Sequence, residues 1–405
     1  MAASVLLKAY CRAYQGIFRV AVNFLDWKEP ELVKGAGCVK KLPEVVKANG
    51  HMSVLVVTDK GLMNLHLLDG LFEGLEKAGV KYVVYDGTQP NPTIDNIEEA
   101  RKLYADNNCS AIIAFGGGSP MDCAKVAAAR IAKPNKTVQQ MRGTLKILKK
   151  LPALYAVPTT AGTGSETTIA AVVSDPATHE KYALQDPVLR PKYAVLDPEL
   201  TLGLPPHITS TTGMDALTHA VEAYIGHSNT KETKAAAEKA TRMIFDNILK
   251  VYENGKDVDA RAQMLEASYL AGIAFTRAYV GYVHAIAHNL GGMYGTPHGL
   301  ANAVILPYVL EYFGATAYKP LAKLADIGGL ETAGLTEGQK AELFIAKVKQ
   351  LNKLMNIPEH IEIQEKDIPT IAKRALKEGN PLYPVPKIMD YEDCVSVIKR
   401  VGNID

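Results

Sequence analysis

From Ser53 to about residue 200 the chain alternates short apolar runs with amphipathic stretches of helical period, and at Gly203-Leu-Pro-Pro206 the alternation stops. No other feature constrains the fold as strongly. Short runs of β-formers separated by helix-length segments call for a mostly parallel sheet covered by helices, because a parallel crossover takes about a dozen residues or more. The expected strands are Ser53–Thr58, Tyr82–Tyr85, Ala111–Phe115, Ala153–Val157 and Tyr193–Leu196, each closed by Gly, Pro or Asp. Beyond Pro205 long helical periodicities take over, with Glu232–Tyr252 and Ala260–Ala278 the clearest. Paired prolines neither continue a helix nor enter a central strand, so the boundary falls beside them. The expected architecture is an α/β N-terminal domain with a parallel sheet over 1–204 and an all-α C-terminal domain over 205–405. A chain of 405 residues is too long for one ordinary core and fits two domains.

The net charge of +2 gives no electrostatic reason to expect nucleic acid as a partner, which points to a small-molecule substrate. Five scattered cysteines, without CxxC spacing, indicate neither a disulfide framework nor a thiolate zinc site and suit a reducing, cytoplasmic setting. No apolar run approaches the length of about eighteen residues that an integral membrane segment needs. The first thirty or so residues read as an N-terminal extension. Met1 to Leu25 contains no acidic residue, and Leu7, Tyr10, Tyr14 and Phe18 would share one helix face opposite Lys8, Arg12 and Arg19. A transit peptide or a membrane-surface helix could look like this; the aromatic-rich, Ser-poor composition favours a helix packed on its own or a partner subunit.

The helical half carries a dispersed set of metal-ligating side chains. Asp215 and His219 are four apart, on one face of a helix expected to start at Gly213. His284 and His288 repeat that spacing, and His298 sits in a Gly295-Thr-Pro-His-Gly299 stretch expected to be a turn. One His on an apolar helix face is normally a satisfied core residue. Six of the ten His (His207, His219, His227, His284, His288 and His298) fall in one stretch among Ala, Gly and Ile, where several would be unpaired polar groups unless something bound them. A carboxylate with imidazoles suits a divalent first-row metal.

In the other half, Gly116-Gly-Gly-Ser-Pro-Met-Asp122 follows an expected strand, so the order is strand, glycines, helix. Small residues let backbone amides approach a diphosphate at a helix N-terminus, with Ser119 expected as N-cap and Pro120 as the first helical residue. Asp59 closes an earlier strand, where a carboxylate can accept from a ribose or simply cap the turn before Lys60-Gly61. Pro158-Thr-Thr-Ala-Gly-Thr-Gly-Ser-Glu166 adds small hydroxyls after another strand. No GxGxxG is present in this region.

Four blocks taken together, Gly-Gly-Gly-Ser-x-x-Asp-x-Ala-Lys, Pro-Thr-Thr-x-Gly-Thr-Gly-Ser-Glu, Gly-Met-Asp-Ala-Leu-x-His-Ala-x-Glu and His-x-x-x-His, closely resemble the iron-containing (group III) alcohol dehydrogenases, in order from about Pro30 to Leu310. The resemblance implies a nucleotide-binding α/β domain, an all-helical domain, and NAD(P) with one divalent metal in a cleft between them. It places the metal ligands on Asp215, His219, His284 and His298. His288 falls near the metal without ligating it and is the candidate for passing the alcohol proton to solvent, or for a supporting hydrogen bond. Cofactor contacts fall on Asp59, Asn91, Gly117, Gly118, Ser119, Asp122, Thr159, Thr160, Thr163, Thr168 and Lys181, the last within His179-Glu-Lys-Tyr182. NAD is expected because Asp59 would oppose the 2′-phosphate of NADP, and iron(II) or zinc as the metal. The implied reaction is hydride transfer between NAD(H) and a short primary alcohol or diol, or its aldehyde, by a homodimer or larger homo-oligomer. A hydroxyacid–oxoacid transhydrogenase or hydroxybutyrate dehydrogenase is the alternative on the same scaffold and would need a cation such as Lys377 or Arg277 for the carboxylate. A non-catalytic structural oligomer is the remaining one. Ala170 stands where some diol-specific relatives carry a polar residue, and Asn380-Pro-Leu-Tyr-Pro384 departs from the usual C-terminal segment, so substrate choice is not inherited.

Overall fold

The computed structural model describes residues 2–21, 27–176 and 180–405; Met1 and residues 22–25 of the acid-free N-terminal segment, Asp26 after it, and His179 beside Lys181 lie outside them. After helix α1 (Ala2–Ala21) the chain runs β1 (Glu31–Lys34), α2 (Leu42–Ala48), β2 (Ser53–Val57), α3 (Lys60–Asn64), α4 (Asp69–Ala78), β3 (Lys81–Tyr85), α5 (Ile94–Asp106), β4 (Ala111–Gly116) and α6 (Gly118–Ala132). Then come β5 (Gly143–Thr144), β6 (Ala153–Pro158), β7 (Ala170–Asp175), β8 (Glu180–Gln185) and β9 (Tyr193–Leu196). The rest is helical: α7 (Pro206–Ile225), α8 (Lys231–Glu253), α9 (Val258–Ala278), α10 (Tyr282–Tyr294), α11 (His298–Phe313), α12 (Tyr318–Ile327), α13 (Glu337–Leu354), α14 (Ile368–Gly379) and α15 (Tyr391–Val401).

All five expected strands are present and lie in one six-stranded sheet, ordered β1-β9-β6-β4-β2-β3 and parallel throughout. Alternate residues of the central strands feed two cores, as the pleat requires. Val54, Val56, Ile113 and Phe115 pack with α2 and α4, through Leu42, Val46, Leu71 and Leu75. Leu55, Val57, Ile112 and Ala114 pack with α5 and α6, through Ile97, Ala100, Met121 and Ala124. Burial on both faces explains why these strands read as continuous apolar runs. The chain leaves β2 for β3 on one side and returns to β4 on the other. The C-terminal ends of β2 and β4 therefore flank the point where strand order reverses, the usual place for a ligand in such sheets.

Four strands had no sequence signal. β1 is an edge strand of largely exposed residues, and β5 is two residues long. β7 and β8 form an antiparallel ladder, with β5 beside β8, and they alternate buried and half-exposed positions instead of presenting an apolar run.

The chain divides into two compact units. One contains the six-stranded sheet, up to Leu204, together with Lys256–Gly272. The other contains α1 with Pro205–Gly255 and Ile273–Asp405. One cut falls at 204/205, beside the paired prolines, while α1 groups with the helical unit and the first part of α9 with the α/β unit. In α1 the packing face keeps Leu7 and Phe18 of the expected four residues, while Tyr14, like Tyr10, is exposed. Cys11 and Gln15 are buried, whereas Ile17 and Val20 are exposed. No single helix among the described residues is long and apolar enough to cross a membrane.

Candidate functional site

Helix α7 starts at Pro206 rather than at Gly213, since a proline in the first turn is already shaped for a helix and gives up an amide that would be orphaned anyway. Gly213 lies in mid-helix, and Asp215 and His219 follow it one turn apart on a buried face. His284 and His288 are one turn apart on α10. His298 is not in a turn; it opens α11 behind the N-cap Pro297. Gly299 makes this arrangement possible, because a Cβ there would stand 2.5 Å from the carbonyl oxygen of Thr211, so only glycine lets the start of α11 approach α7 so closely.

These elements bring one ligand atom each from Asp215, His219, His284 and His298 within 4.8 Å of one another. Asp215 Oδ1 lies 3.9 Å from His284 Nε2 and 3.7 Å from His298 Nε2. The rings of His219 and His284 stack at 4.5 Å, and Phe275 covers the other face of His219 at 4.1 Å. Asp215, His219 and His284 are buried, whereas the His298 side chain is 39% exposed, so the centre is closed on one side and open on the other.

The protonation pattern fits a cation. His284 Nδ1 is 2.6 Å from Glu222 Oε2, and the two carboxylate oxygens also accept amide protons from Gly281 at 2.8 Å and Val283 at 2.9 Å. Burial outweighs these donors and raises the Glu222 carboxyl to about 8, and a cation bound beside His284 would favour its ionised form. Burial, reinforced by the neighbouring imidazoles, holds His284 well below its usual range and therefore neutral. With Nδ1–H given to the carboxylate, the Nε2 lone pair is left for the cluster. The amide nitrogen of Asn302 donates to Asp215 Oδ1 at 2.7 Å and lies 3.1 Å from both His284 Nε2 and His298 Nε2. Asn302 Oδ1 has no hydrogen-bond partner among the described residues. One carboxylate with three imidazoles is a donor set that a divalent first-row ion takes.

Glu222, Asn302, Glu378 and Tyr383 were missed from the sequence. Glu222 and Asn302 had a usable signal, since each lies one turn from a candidate ligand in an otherwise apolar helix. Glu378 had none, because it meets His288 Nδ1 at 2.7 Å across ninety residues of chain. The His288 ring stacks on His298 at 5.2 Å. His207 and His227, counted in the sequence cluster, are exposed and lie outside the group.

In the α/β unit the phosphate loop is built one step differently from expectation. The N-cap of α6 is Gly117, and Ser119 and Pro120 are its second and third residues. The hydroxyl of Ser119 is not capping; it accepts the Asn91 amide proton at 3.2 Å. A Cβ on Gly117 or Gly118 would come within 3.4 Å of Thr160 and 3.2 Å of Thr163 respectively. Asn91, Gly117, Gly118, Ser119, Thr160 and Thr163 therefore gather around one helix N-terminus, whose first amides have no partner inside the helix. Thr160 Oγ1 has no hydrogen-bond partner among the described residues. Lys181 pairs in register with Ser174, which bridges Thr93, so β7 and β8 bring it toward the Asn91 loop; its partial burial lowers its pKa.

Asp122, Thr159 and Thr168 are placed differently, beneath the loop. Thr159 is buried and its amide donates to Gly116 O at 3.0 Å. Asp122 accepts from Ser165 Oγ at 3.1 Å and from the Val172 amide at 3.0 Å. The buried Lys125 donates to Ser165 Oγ, Thr168 Oγ1 and Ala170 O at 3.0, 2.7 and 2.9 Å. Asp59, at the end of β2, accepts the Leu62 amide at 3.0 Å, so one of its oxygens caps the turn as the simpler reading expected.

Comparison with known proteins places both halves of the chain in one family. The model for iron-containing alcohol dehydrogenase matches residues 30–198, and that for the C-terminal part of the Fe-containing alcohol dehydrogenase family matches 209–402. The chain is 39% identical to 1,3-propanediol dehydrogenase of Citrobacter freundii over 351 residues, 85% of this chain and 90% of the relative. It is 38% identical to alcohol dehydrogenase 4 of Schizosaccharomyces pombe over 86% of this chain and 83% of the relative. Among solved structures, an alcohol dehydrogenase from Oenococcus oeni superposes with a TM-score of 0.90 at 37% identity, over 93% of this chain and 99% of the other.

Proposed function

This chain belongs to the iron-containing alcohol dehydrogenase family, and on that premise we propose that it transfers a hydride between NAD(H) and a short primary alcohol or diol, or its aldehyde, with a divalent metal held by Asp215, His219, His284 and His298. The observation that carries the reading is the convergence of one carboxylate and three imidazoles, one ligand atom each within 4.8 Å of one another. When bound, the metal supplies Lewis-acid chemistry that eases loss of the alcohol proton, and the nicotinamide carries the electrons.

The protein's own contribution is binding, orientation and proton handling. Glu222 fixes the tautomer and direction of His284, and the exposed edge of His298 leaves the alcohol a way in. His288, paired with Glu378, carries the alcohol proton toward solvent. The helix N-terminus at Gly117, Gly118 and Ser119 takes the cofactor diphosphate, with Asn91, Thr160, Thr163 and Lys181 around it and Asp59 on the adenosine ribose. Asp122, Thr159 and Thr168 act from beneath, through the shape of the loop. Iron(II) is the family's metal; zinc binds such donors more tightly, so supply decides which is resident.

A diol substrate is favoured by the likeness to a 1,3-propanediol dehydrogenase. The hydroxyacid reading gains no support from Lys377, which is exposed on α14. The five free, buried cysteines favour a reducing compartment, the cytoplasm, and a homo-oligomer follows the family. The test is a panel of primary alcohols, diols, hydroxyacids and aldehydes assayed with NAD(H) on protein of known metal content. Turnover of hydroxyacids alone would overturn the substrate class.

A further inference from the structure

The stretch Asn380-Pro-Leu-Tyr-Pro-Val-Pro386 has three prolines, so it lacks three amide donors and cannot enter a helix or a ladder. Apart from Tyr383 O, which also takes the Val385 amide at 2.9 Å, its carbonyl oxygens need donors from outside, and α1 donates to four of the segment's carbonyls. Arg12 Nη1 donates to Val385 O and Nη2 to Pro386 O, both at 2.8 Å. Gln15 Nε2 donates to Pro381 O at 3.1 Å and Tyr383 O at 2.7 Å, while its Oε1 accepts from Arg12 at 2.9 Å. The remaining proline carbonyl, that of Pro384, accepts the His227 amide at 2.7 Å. Further along α1, Phe18 packs edge-on against Tyr279, three residues ahead of α10, at 5.7 Å.

The segment held in this way reaches the metal centre. Tyr383 is buried, and its hydroxyl donates at 2.8 Å to the same Glu378 oxygen that His288 Nδ1 meets at 2.7 Å. His288 stacks on the candidate ligand His298. A continuous set of hydrogen bonds thus runs from the side chains of α1 through the proline segment to the imidazole beside the cluster. The family match begins at residue 30, so α1 lies outside it.

We propose that α1 is a positioning element of the active centre: Arg12 and Gln15 template the 381–386 segment, and through Tyr383 and Glu378 they fix the His288 imidazole at the alcohol end of the site. The proposal rests on the alcohol dehydrogenase reading for its kinetic arm only. Neither residue touches substrate, so the effect is one of placement, for which misalignment on the order of 1 Å costs up to about a hundredfold.

The test uses the full metal-loaded chain with Arg12→Ala/Gln15→Glu, which removes all four of these donations to the segment and sets a carboxylate against two carbonyls. Hydrogen exchange read by mass spectrometry should speed up in peptides covering 379–389 and α10 and stay unchanged in the six-stranded sheet. Metal content and the KM for NAD should hold, while kcat/KM for the alcohol falls roughly tenfold to a hundredfold. Tyr383→Phe, which removes a single hydroxyl, should give a loss of the same kind, and the combined variant should be no worse than the poorer of the two. Arg12→Lys should recover part of the loss. Unchanged exchange in 379–389 overturns the proposal, whether or not the protein turns over alcohols. Losses that multiply in the combined variant, or loss of metal together with NAD affinity, overturn it as well.

Discussion

Replacing Glu222 by Gln tests how the metal centre is held, and the structure sets the size of the effect. The carboxylate offers Oε1 to the Val283 amide and Oε2 to both the Gly281 amide and His284 Nδ1. A glutamine can keep only one of those sides as an acceptor. If its oxygen faces His284, its NH2 meets the Val283 N–H, and one buried donor is orphaned at a cost of about 1–3 kcal/mol. If it turns the other way, it forces His284 to carry its proton on Nε2, which removes the lone pair from the cluster. The first orientation wins because it loses only one partner. His284 then leans on a neutral amide instead of a carboxylate, and the loss of such a support typically costs about tenfold to a hundredfold in metal affinity, or about 1.4–2.7 kcal/mol. Enlarging Gly281 should have a related effect, since a Cβ there would stand 2.7 Å from Glu222 Oε1. The assay is competition for zinc or iron(II) against a chromogenic chelator, with a melting curve of the metal-free protein alongside. Metal affinity of Glu222→Gln within threefold of wild type would refute the argument that this carboxylate directs His284.

Three further outcomes are expected. His288→Gln should lower kcat by roughly a hundredfold, the scale of one proton-transfer group, with metal content unchanged; loss of the metal would instead make His288 a ligand. Asp59→Gly should relax the preference for NAD, expected to be on the order of a hundredfold in kcat/KM, mainly by improving NADP, since it removes like charge facing the 2′-phosphate; an unchanged ratio would leave Asp59 with only the Leu62 cap. Burial raises the Glu166 carboxyl from 4.5 to about 7 and lowers Lys125 from 10.5 to about 8. A raised acid stabilises the folded state fully below its unfolded value and loses that contribution as pH climbs through the folded one, whereas a lowered lysine regains stability above about 8. The metal-free protein should therefore lose thermal stability from pH 4.5 to 7 and recover some above 8, and Glu166→Gln should flatten the acid limb; a profile identical to wild type would contradict the assignment.

The sequence carried the sheet and the ligands further than it carried the connections between them. Strands buried on both faces announce themselves as apolar runs, so β2, β4, β6 and β9 were legible, and the half-exposed edge strand β3 was legible through its β-forming Tyr82-Val-Val-Tyr85, while the half-wet β7 and β8 and the exposed β1 were not. Candidate ligands stood out because imidazole and carboxylate are costly in apolar helices. The helix starts were misread where glycine competed with proline as a signal: proline set the start of α7, and Gly213 and Gly299 lie inside helices, with Gly299 there for close approach. Tyr383, Glu378 and the docking of Arg12 and Gln15 connect positions far apart in the chain, and no local period encodes such pairings.

The central claim is that one metal, held by Asp215, His219, His284 and His298, is needed for direct hydride transfer from an alcohol to NAD. The measurement is single-turnover oxidation of propane-1,3-diol carrying deuterium on its carbinol carbons, with mass spectrometry of the NADH formed, on metal-loaded, chelator-stripped and reloaded protein and on His284→Ala. One deuterium per NADH in the loaded and reloaded protein, and no NADH from the stripped protein or from His284→Ala, is the predicted result. NADH formed without deuterium, or at an undiminished rate in the stripped protein, would contradict it.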